Sequence, residues 1–252
     1  MKGLYSLLGF AYMITTSFYI SPEKGNLRSG AISIEKIERV NDTKSEKTIS
    51  TVSSSEALYK SIAFEPGHEL NEEVFFKALK GFENLKKAGL LNQDSHLLTI
   101  CDFSMSSNTN RLWVIDTQEK KVLFNSLVAH GKNTGEEFAT NFSNTESSLQ
   151  SSMGFYITDA TYNGDNGYSL RLLGMDKGFN DAAYKRAIVM HGANYVSEEF
   201  AAMHKRIGRS WGCPAIPKDL TAPIINTIKG RNCLFIYYPD QNYLSSTEWL
   251  KA

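Results

Sequence analysis

The chain has 252 residues, 42% of them apolar and 21% charged, enough for a globular protein with a sizeable core. Basic and acidic residues number 27 each, so no charge excess points to nucleic acid or an anionic membrane surface as a partner. Three widely spaced cysteines (Cys101, Cys213 and Cys233) with no CxxC argue against a disulfide scaffold and a zinc ribbon.

Lys2 precedes an uncharged apolar run, "GLYSLLGFAYMITTSFYI". Residues 1–22 are therefore expected to be a secretory signal peptide, or a membrane anchor if the run is retained. Either reading places the protein in the periplasm or cell envelope. Residues 23–55 are polar and rich in Ser, Thr, Lys and Glu, which predicts a linker with little to bury.

Residues 56–95 form a helical N-terminal extension. In it Phe75, Ala78, Leu79, Phe82 and Leu85 recur at three- and four-residue spacing, Asn71 suits an N-cap and Gly89 a C-terminal stop. From 96 to 242 short β-rich runs alternate with turns. "RLWVIDT" and "KVLFNSLVAHG" flank a polar turn, and "MGFYITDATY" and "YSLRLLGM" flank "NGDNG", a hairpin signal. "RAIVMHG" and "CLFIYYP" read as apolar strands. Two short helices interrupt, one capped by Ser197 and ending near Gly208, the other ending at Gly230. Residues 243–252 remain as a tail. The expected fold is mostly β (α+β): a partly closed barrel or sandwich with short helical inserts and an N-terminal packing helix.

Cys101 and Cys233 lie in strand-like runs and are expected as buried free thiols, a disulfide between them being the alternative. Cys213 differs. It sits in "RSWGCPAIP", 22 residues after His191, which closes a strand and precedes Gly192. A thiolate attacks carbonyls, and a neighbouring imidazole activates it and protonates the leaving amine. Glycines beside both groups admit a substrate backbone, and turn amides could form an oxyanion hole. His130, in "VAHGKNTG", ends another strand and is a further candidate at the same edge. A metal site from His191, Cys213 and His204 lacks ligand spacing. No phosphate loop or dinucleotide fingerprint occurs, so no cofactor is implied.

The segments "IVMHGANY … GRSWGCPAIP", "RLWVIDTQEKKVLFNSLVAHGKNTG", "FSN … SSMGFYIT" and "GYSLRLLGMDKGFNDAAYKRA" together resemble the murein L,D-transpeptidase catalytic-domain family, a divergent branch of the YkuD-like enzymes. The resemblance runs from about residue 97 to 240. It implies a cysteine nucleophile that attacks a peptidoglycan stem tetrapeptide, releases D-Ala, and passes the acyl group to an amine of a second stem in a 3→3 cross-link. Carried onto this chain, Cys213 is the nucleophile and His191 the base and acid. A main-chain carbonyl near Gly192 orients the imidazole, and Ser210 and Gly212 shape the turn.

The familiar motif has His or Arg where this chain has Trp211, and an aliphatic-Arg/Asn pair where it has Pro214-Ala215. The charged neighbour of the thiol is thus missing. Arg209 is a candidate for a stem carboxylate, a plain surface charge being its alternative. Trp211, Tyr156, Tyr168, Arg171 and Asn194 are candidates for reading the stem peptide. Two rival functions stay open: an L,D-carboxypeptidase or endopeptidase using water at the same site, and a non-catalytic wall-binding module.

Overall fold

The structure, a computed structural model, describes residues 54–251. The N-terminal apolar run and most of the linker lie outside the described residues. Among the described residues no helix is long and apolar enough to cross a membrane.

The described chain begins in a helical segment, α1 (residues 54–61). Then come α2 (Glu72–Lys87), β1 (Leu97–Asp102), β2 (Leu112–Asp116), β3 (Lys121–Ser126), β4 (Gly154–Gly164), β5 (Gly167–Gly174) and β6 (Val189–Ala193). After these lie α3 (Glu198–His204), β7 (Ala215–Pro217), α4 (Thr221–Ile228), β8 (Cys233–Tyr237), α5 (Gln241–Ser246) and a short 3-10 turn, Glu248–Leu250. The fold is mostly β, as the composition and turn spacing predict.

Eight strands form one sheet in the order β3-β2-β1-β8-β4-β5-β6-β7. Neighbours are antiparallel except β1 with β8 and β6 with β7. The run "KVLFNSLVAHG" does not continue as one strand. Residues to Ser126 pair with β2, and the next few cross to the far edge. There Ala129 and Ala215 exchange backbone hydrogen bonds of 2.8 and 3.3 Å, and Gly131 bridges Ser210. One continuous segment thus serves both edges and curls the sheet into a barrel-like shape. At the outer side of β3, Ala63 bridges Lys121, which covers that edge as well.

Strand alternation sorts the core into two faces. Leu98, Ile100, Trp113, Phe155, Phe235 and Tyr237 face α2, whose Phe75, Ala78, Leu79, Phe82 and Leu85 are buried against them. The α2 helix starts as its sequence dictates: Asn71 Oδ1 accepts from Glu73 and Val74 N–H, satisfying two of the free amides at its end. Gly81 is explained by packing, since a Cβ there would lie 2.0 Å from the Phe155 ring. The other face holds Cys101, Val114, Tyr156, Leu170, Leu172 and Leu234, closed by α4 through Ile224, Ile225 and Ile228.

Three expectations change. Residues 56–95 are built into the domain, because α2 supplies one wall of its core. Residues 243–251 are no tail: Tyr243 is fully buried and Trp249 packs on the same cluster. The helix after Ser197 stops at His204, where Lys205 turns left-handed at φ 64, four residues short of Gly208. A disulfide between Cys101 and Cys233 is excluded by geometry. Both are free and buried, and they point to opposite faces of the sheet.

Candidate active site

The β6–β7 pair is parallel, with His191 opposite Ala215. Counting back two residues on each strand places Cys213 opposite Val189. The contacts agree: Val189 N–H donates to Cys213 Sγ at 3.5 Å, and Ala187 O lies 3.8 Å from the same sulfur. On the other side β5 pairs Ser169 with His191 and Arg171 with Val189. Directly paired residues share a face, so Arg171 and His191 stand on one face, away from the Leu170–Met190 core.

His191 is buried, with 4% of its surface exposed. Its Nδ1 lies 3.2 Å from Gly192 O. A backbone oxygen can only accept, so this contact places the proton on Nδ1 and leaves Nε2 unprotonated. Burial holds the imidazole below its ordinary value, opposed by the Gly192 carbonyl. The Cys213 thiol is half-buried. Burial raises its pKa, opposed by the Val189 N–H and by the Arg186 cation. Both groups therefore rest uncharged near neutrality.

The turn that carries Cys213 is stapled by Ser210. Its Oγ donates to Cys213 O at 2.6 Å and accepts from Gly212 N at 3.0 Å. Gly212 has φ +124, and a Cβ there would lie 2.7 Å from Gln150 O, so both conformation and space require glycine. Ser151 Oγ completes the support, donating to Gly212 O at 3.1 Å and accepting from Gly131 N at 3.0 Å. Among the described residues the Cys213 amide has no hydrogen-bond partner, leaving a donor at the turn.

The other expected residues divide. Trp211 projects from the turn with 77% of its surface exposed. Arg171 lies on the His191 face, stacked over Tyr162 at 4.6 Å with Tyr184 at 5.6 Å. Arg209 is turned away: its Nη1 donates to Lys132 O, Gly135 O and Glu136 Oε1 at 2.9, 2.9 and 2.7 Å. Asn194 is exposed just beyond the other end of β6 and lines a cavity of about 510 Å³ with Ser197, Pro217 and Lys218.

Two residues, Tyr156 and His130, are corrected. Tyr156 is fully buried in the sheet interior, its hydroxyl donating to Ser152 O at 2.9 Å, so no substrate reaches it. Tyr168 is half-buried at the edge of the same cluster, as is Cys213, and its exposed hydroxyl donates to Asn226 of α4 at 2.9 Å. His130 is buried, and its Nδ1 accepts from Arg111 Nη2 at 2.8 Å. Burial and the Arg111 cation pull its pKa down to about 4. It is a neutral support for a buried arginine. Its backbone serves the site instead: His130 O accepts from Ser210 N at 3.0 Å.

Sequence reasoning missed Arg186 and Tyr195. Arg186 precedes the β6 run by three residues, and the loop it binds lies 34 or more residues earlier. Tyr195 packs on Gly208 at 2.5 Å from its would-be Cβ, and the thiol raises its pKa further after burial. Both lie in segments that carry the family resemblance, but their partners are remote in sequence, so their contacts could not be read locally.

The β6–β7 pairing brings the Cys213 turn, which precedes β7, alongside the strand that carries His191. The chain belongs to the L,D-transpeptidase catalytic-domain family, which it matches over residues 67–237. Among solved structures it is similar to an L,D-transpeptidase from Mycobacterium smegmatis (12% identity, 57% of this chain and 59% of that one, TM-score 0.35). It is also similar to the helical cell shape determining protein Pgp2 from Campylobacter jejuni (14%, 66% and 55%, TM-score 0.37). A third is an L,D-transpeptidase from Stackebrandtia nassauensis (10%, 73% and 76%, TM-score 0.35). The match thus spans less than two thirds of the first two chains. No curated protein matches the sequence.

Proposed function

We propose that this protein is a peptidoglycan L,D-transpeptidase of the cell envelope, with Cys213 as nucleophile and His191 as general base and acid. The observation that carries the reading is the pairing of β6 with β7, which sets the Cys213 thiol at the Val189 amide, two residues from His191. His191 Nε2 is free to accept a proton because Nδ1 is held by Gly192 O.

In the first half-reaction Nε2 removes the thiol proton as sulfur attacks the carbonyl of the third stem residue. The oxyanion is met by the Cys213 amide. The C–N bond to D-Ala then breaks, the amine takes the proton from His191, and a thioester remains. In the second half the side-chain amine of another stem attacks the thioester. His191 accepts its proton and returns it to the sulfur, leaving a 3→3 amide. The neutral resting pair suits this sequence, since charge develops only as the substrate arrives.

The test is incubation with purified tetrapeptide muropeptides, read by mass. Cross-linked dimers with loss of D-Ala are expected, and a thioacyl adduct on the peptide containing Cys213. Tripeptides without dimers would instead establish a hydrolase. Activity or adduct surviving Cys213→Ala would remove Cys213 from the mechanism.

A further inference from the structure

Arg186 was assigned no role from the sequence, yet it bonds the long irregular stretch that rests on the Cys213 turn. It lies in the segment between β5 and β6. Its Nη1 donates to Ser143 O at 2.7 Å and to Ser152 Oγ, and its Nη2 to Gln150 O at 2.7 Å and Ser148 Oγ at 3.0 Å. All four acceptors belong to residues 143–152. Two other contacts join the same segments: Asn144 with Asp181 at 2.7 Å and Lys185 with Glu146 at 3.2 Å. Ser147, Leu149 and Ala187 are non-glycine residues with φ of 59, 58 and 53. Such conformations persist where the surroundings impose them.

The clamped loop rests directly on the Cys213 turn. Gln150 O, one of the four acceptors, lies 2.7 Å from the point where a Gly212 side chain would begin. Leu149 O approaches Gly131 in the same way, at 2.6 Å. Ala187, next to Arg186 in the chain, faces Cys213 Sγ with its carbonyl. All four acceptors are uncharged, so no carboxylate cancels the guanidinium. Its Nε is buried and has no hydrogen-bond partner, an uncommon state for a donor in a folded protein.

We propose that Arg186 is the positioning residue of the Cys213 turn: it clamps residues 143–152 across Gly212 and supplies the positive charge that favours the Cys213 thiolate. It replaces from outside the motif the charge that Trp211 and Pro214-Ala215 lack. This rests on the reading of Cys213 as the nucleophile. Arg186 is the cation that opposes burial at Cys213, and the thiol in turn acts on Arg186. The other titratable or charged groups around the thiol are His191 on β6, Tyr195 beyond it, Arg171 on β5 opposite Val189, and the exposed Lys185–Glu146 pair. Lys185 reaches the loop through an exposed pair with Glu146, whereas Arg186 bonds the Gln150 carbonyl that lies over Gly212.

The test is the pH profile of iodoacetamide alkylation at Cys213, read by peptide mass, which works whether or not the protein transfers acyl groups. An opposite charge near a titrating group moves its pKa by about one unit or more. Arg186→Met should therefore shift the profile up by about one pH unit, with about tenfold slower alkylation at pH 7. Arg186→Lys should bring it back to within a few tenths of native. A profile unchanged in Arg186→Met, or shifted equally in Arg186→Lys, overturns the charge role. Should Arg186→Met not fold, the doubly substituted S148A/S152A protein keeps the charge and loses two bonds. Amide exchange across 143–152 should rise in it while the thiol profile stays put; unchanged exchange overturns the clamp. Failure of the muropeptide assay with this thiol profile intact would count against the transpeptidase reading and not against Arg186.

Discussion

Ser210 Oγ donates to the carbonyl of Cys213 at 2.6 Å while accepting the amide of Gly212 at 3.0 Å. One hydroxyl thereby fixes both peptide units around the thiol. Neither bond is to substrate, so Ser210 acts by holding the Cys213 amide and sulfur in place. Ser210 is 4% exposed, and its loss leaves a buried acceptor and a buried donor unpaired. Ser210→Ala should cost about 1–3 kcal/mol of stability. It should slow Cys213 acylation by a carbapenem by about tenfold to hundredfold, as expected when a reacting group is misplaced by a fraction of an ångström. Thermal melts and adduct formation followed by intact mass check both. Acylation at the native rate would show that the turn holds its shape without the staple.

The protonation states of the pair give a second expectation. Burial holds His191 below its ordinary value of 6.5 and raises Cys213 above its ordinary value of 9.0. In the proposed mechanism the reactive form is the neutral pair, which exists above the first pKa and below the second. Acylation should therefore rise with pH through a midpoint below 6.5 and stay level past pH 8. A rate measured from pH 5 to 9 that drops to half above pH 6.5 would show that His191 carries its proton at rest. His191→Gln should abolish the acidic limb along with most of the rate.

Much of the candidate site was legible in local sequence, and what was not shares one cause. His191-Gly192 and Ser210-Trp211-Gly212-Cys213 are contiguous and carry their chemistry in residue type. The α2 helix and both hairpins follow from periodicity and turn residues. Tyr156 misled because strand parity assigns it to the interior, and parity needs a register that one sequence does not supply. His130 misled because its partner, Arg111, is 19 residues away and fully buried. The crossing of residues 127–131 from β3 to β7 hid for the same reason: the apolar run is continuous, and only the edge it joins reveals the break. Arg186 needed knowledge of where residues 143–152 fold back.

The correction at Tyr156 is directly testable. Its hydroxyl donates to Ser152 O, and its ring lies in the sealed face with Leu170, Leu172 and Leu234. Burial lifts the hydroxyl far above its ordinary pKa, so it takes no part in proton transfer. Tyr156→Phe keeps the packing and removes one hydrogen bond. It should cost about 1 kcal/mol and leave the acylation rate within about twofold of native. Trp211→Ala, at the exposed edge of the turn, should do the reverse: stability unchanged within about 0.5 kcal/mol and a higher KM for tetrapeptide. A Tyr156→Phe protein of native stability but impaired acylation would return Tyr156 to the site.

Asp176 couples the far side of the domain to pH. Its carboxylate accepts from Phe155 N at 2.6 Å, from Tyr243 Oη at 3.2 Å and from Thr247 Oγ1, joining β4 to α5 and the chain end. It is 3% exposed, and burial raises its pKa from 3.8 to about 6 against the pull of these donors. A raised carboxylate pKa means the folded state holds a proton that the unfolded chain has already lost between about pH 4 and 6. Stability from this group is thus greatest below pH 4, falls as pH rises through that window, and is level above it. The shift corresponds to about 3 kcal/mol. Asp176→Asn can keep the Phe155 bond through its oxygen and donate to Thr247 through its nitrogen, without a charge. Relative to native, the variant should gain stability by up to about 3 kcal/mol on going from pH 4 to pH 7. Urea unfolding of both proteins at pH 4, 5, 6 and 7 measures the difference directly. Parallel curves would mean that Asp176 titrates alike in the folded and unfolded chains, and that the three donors fully offset its burial.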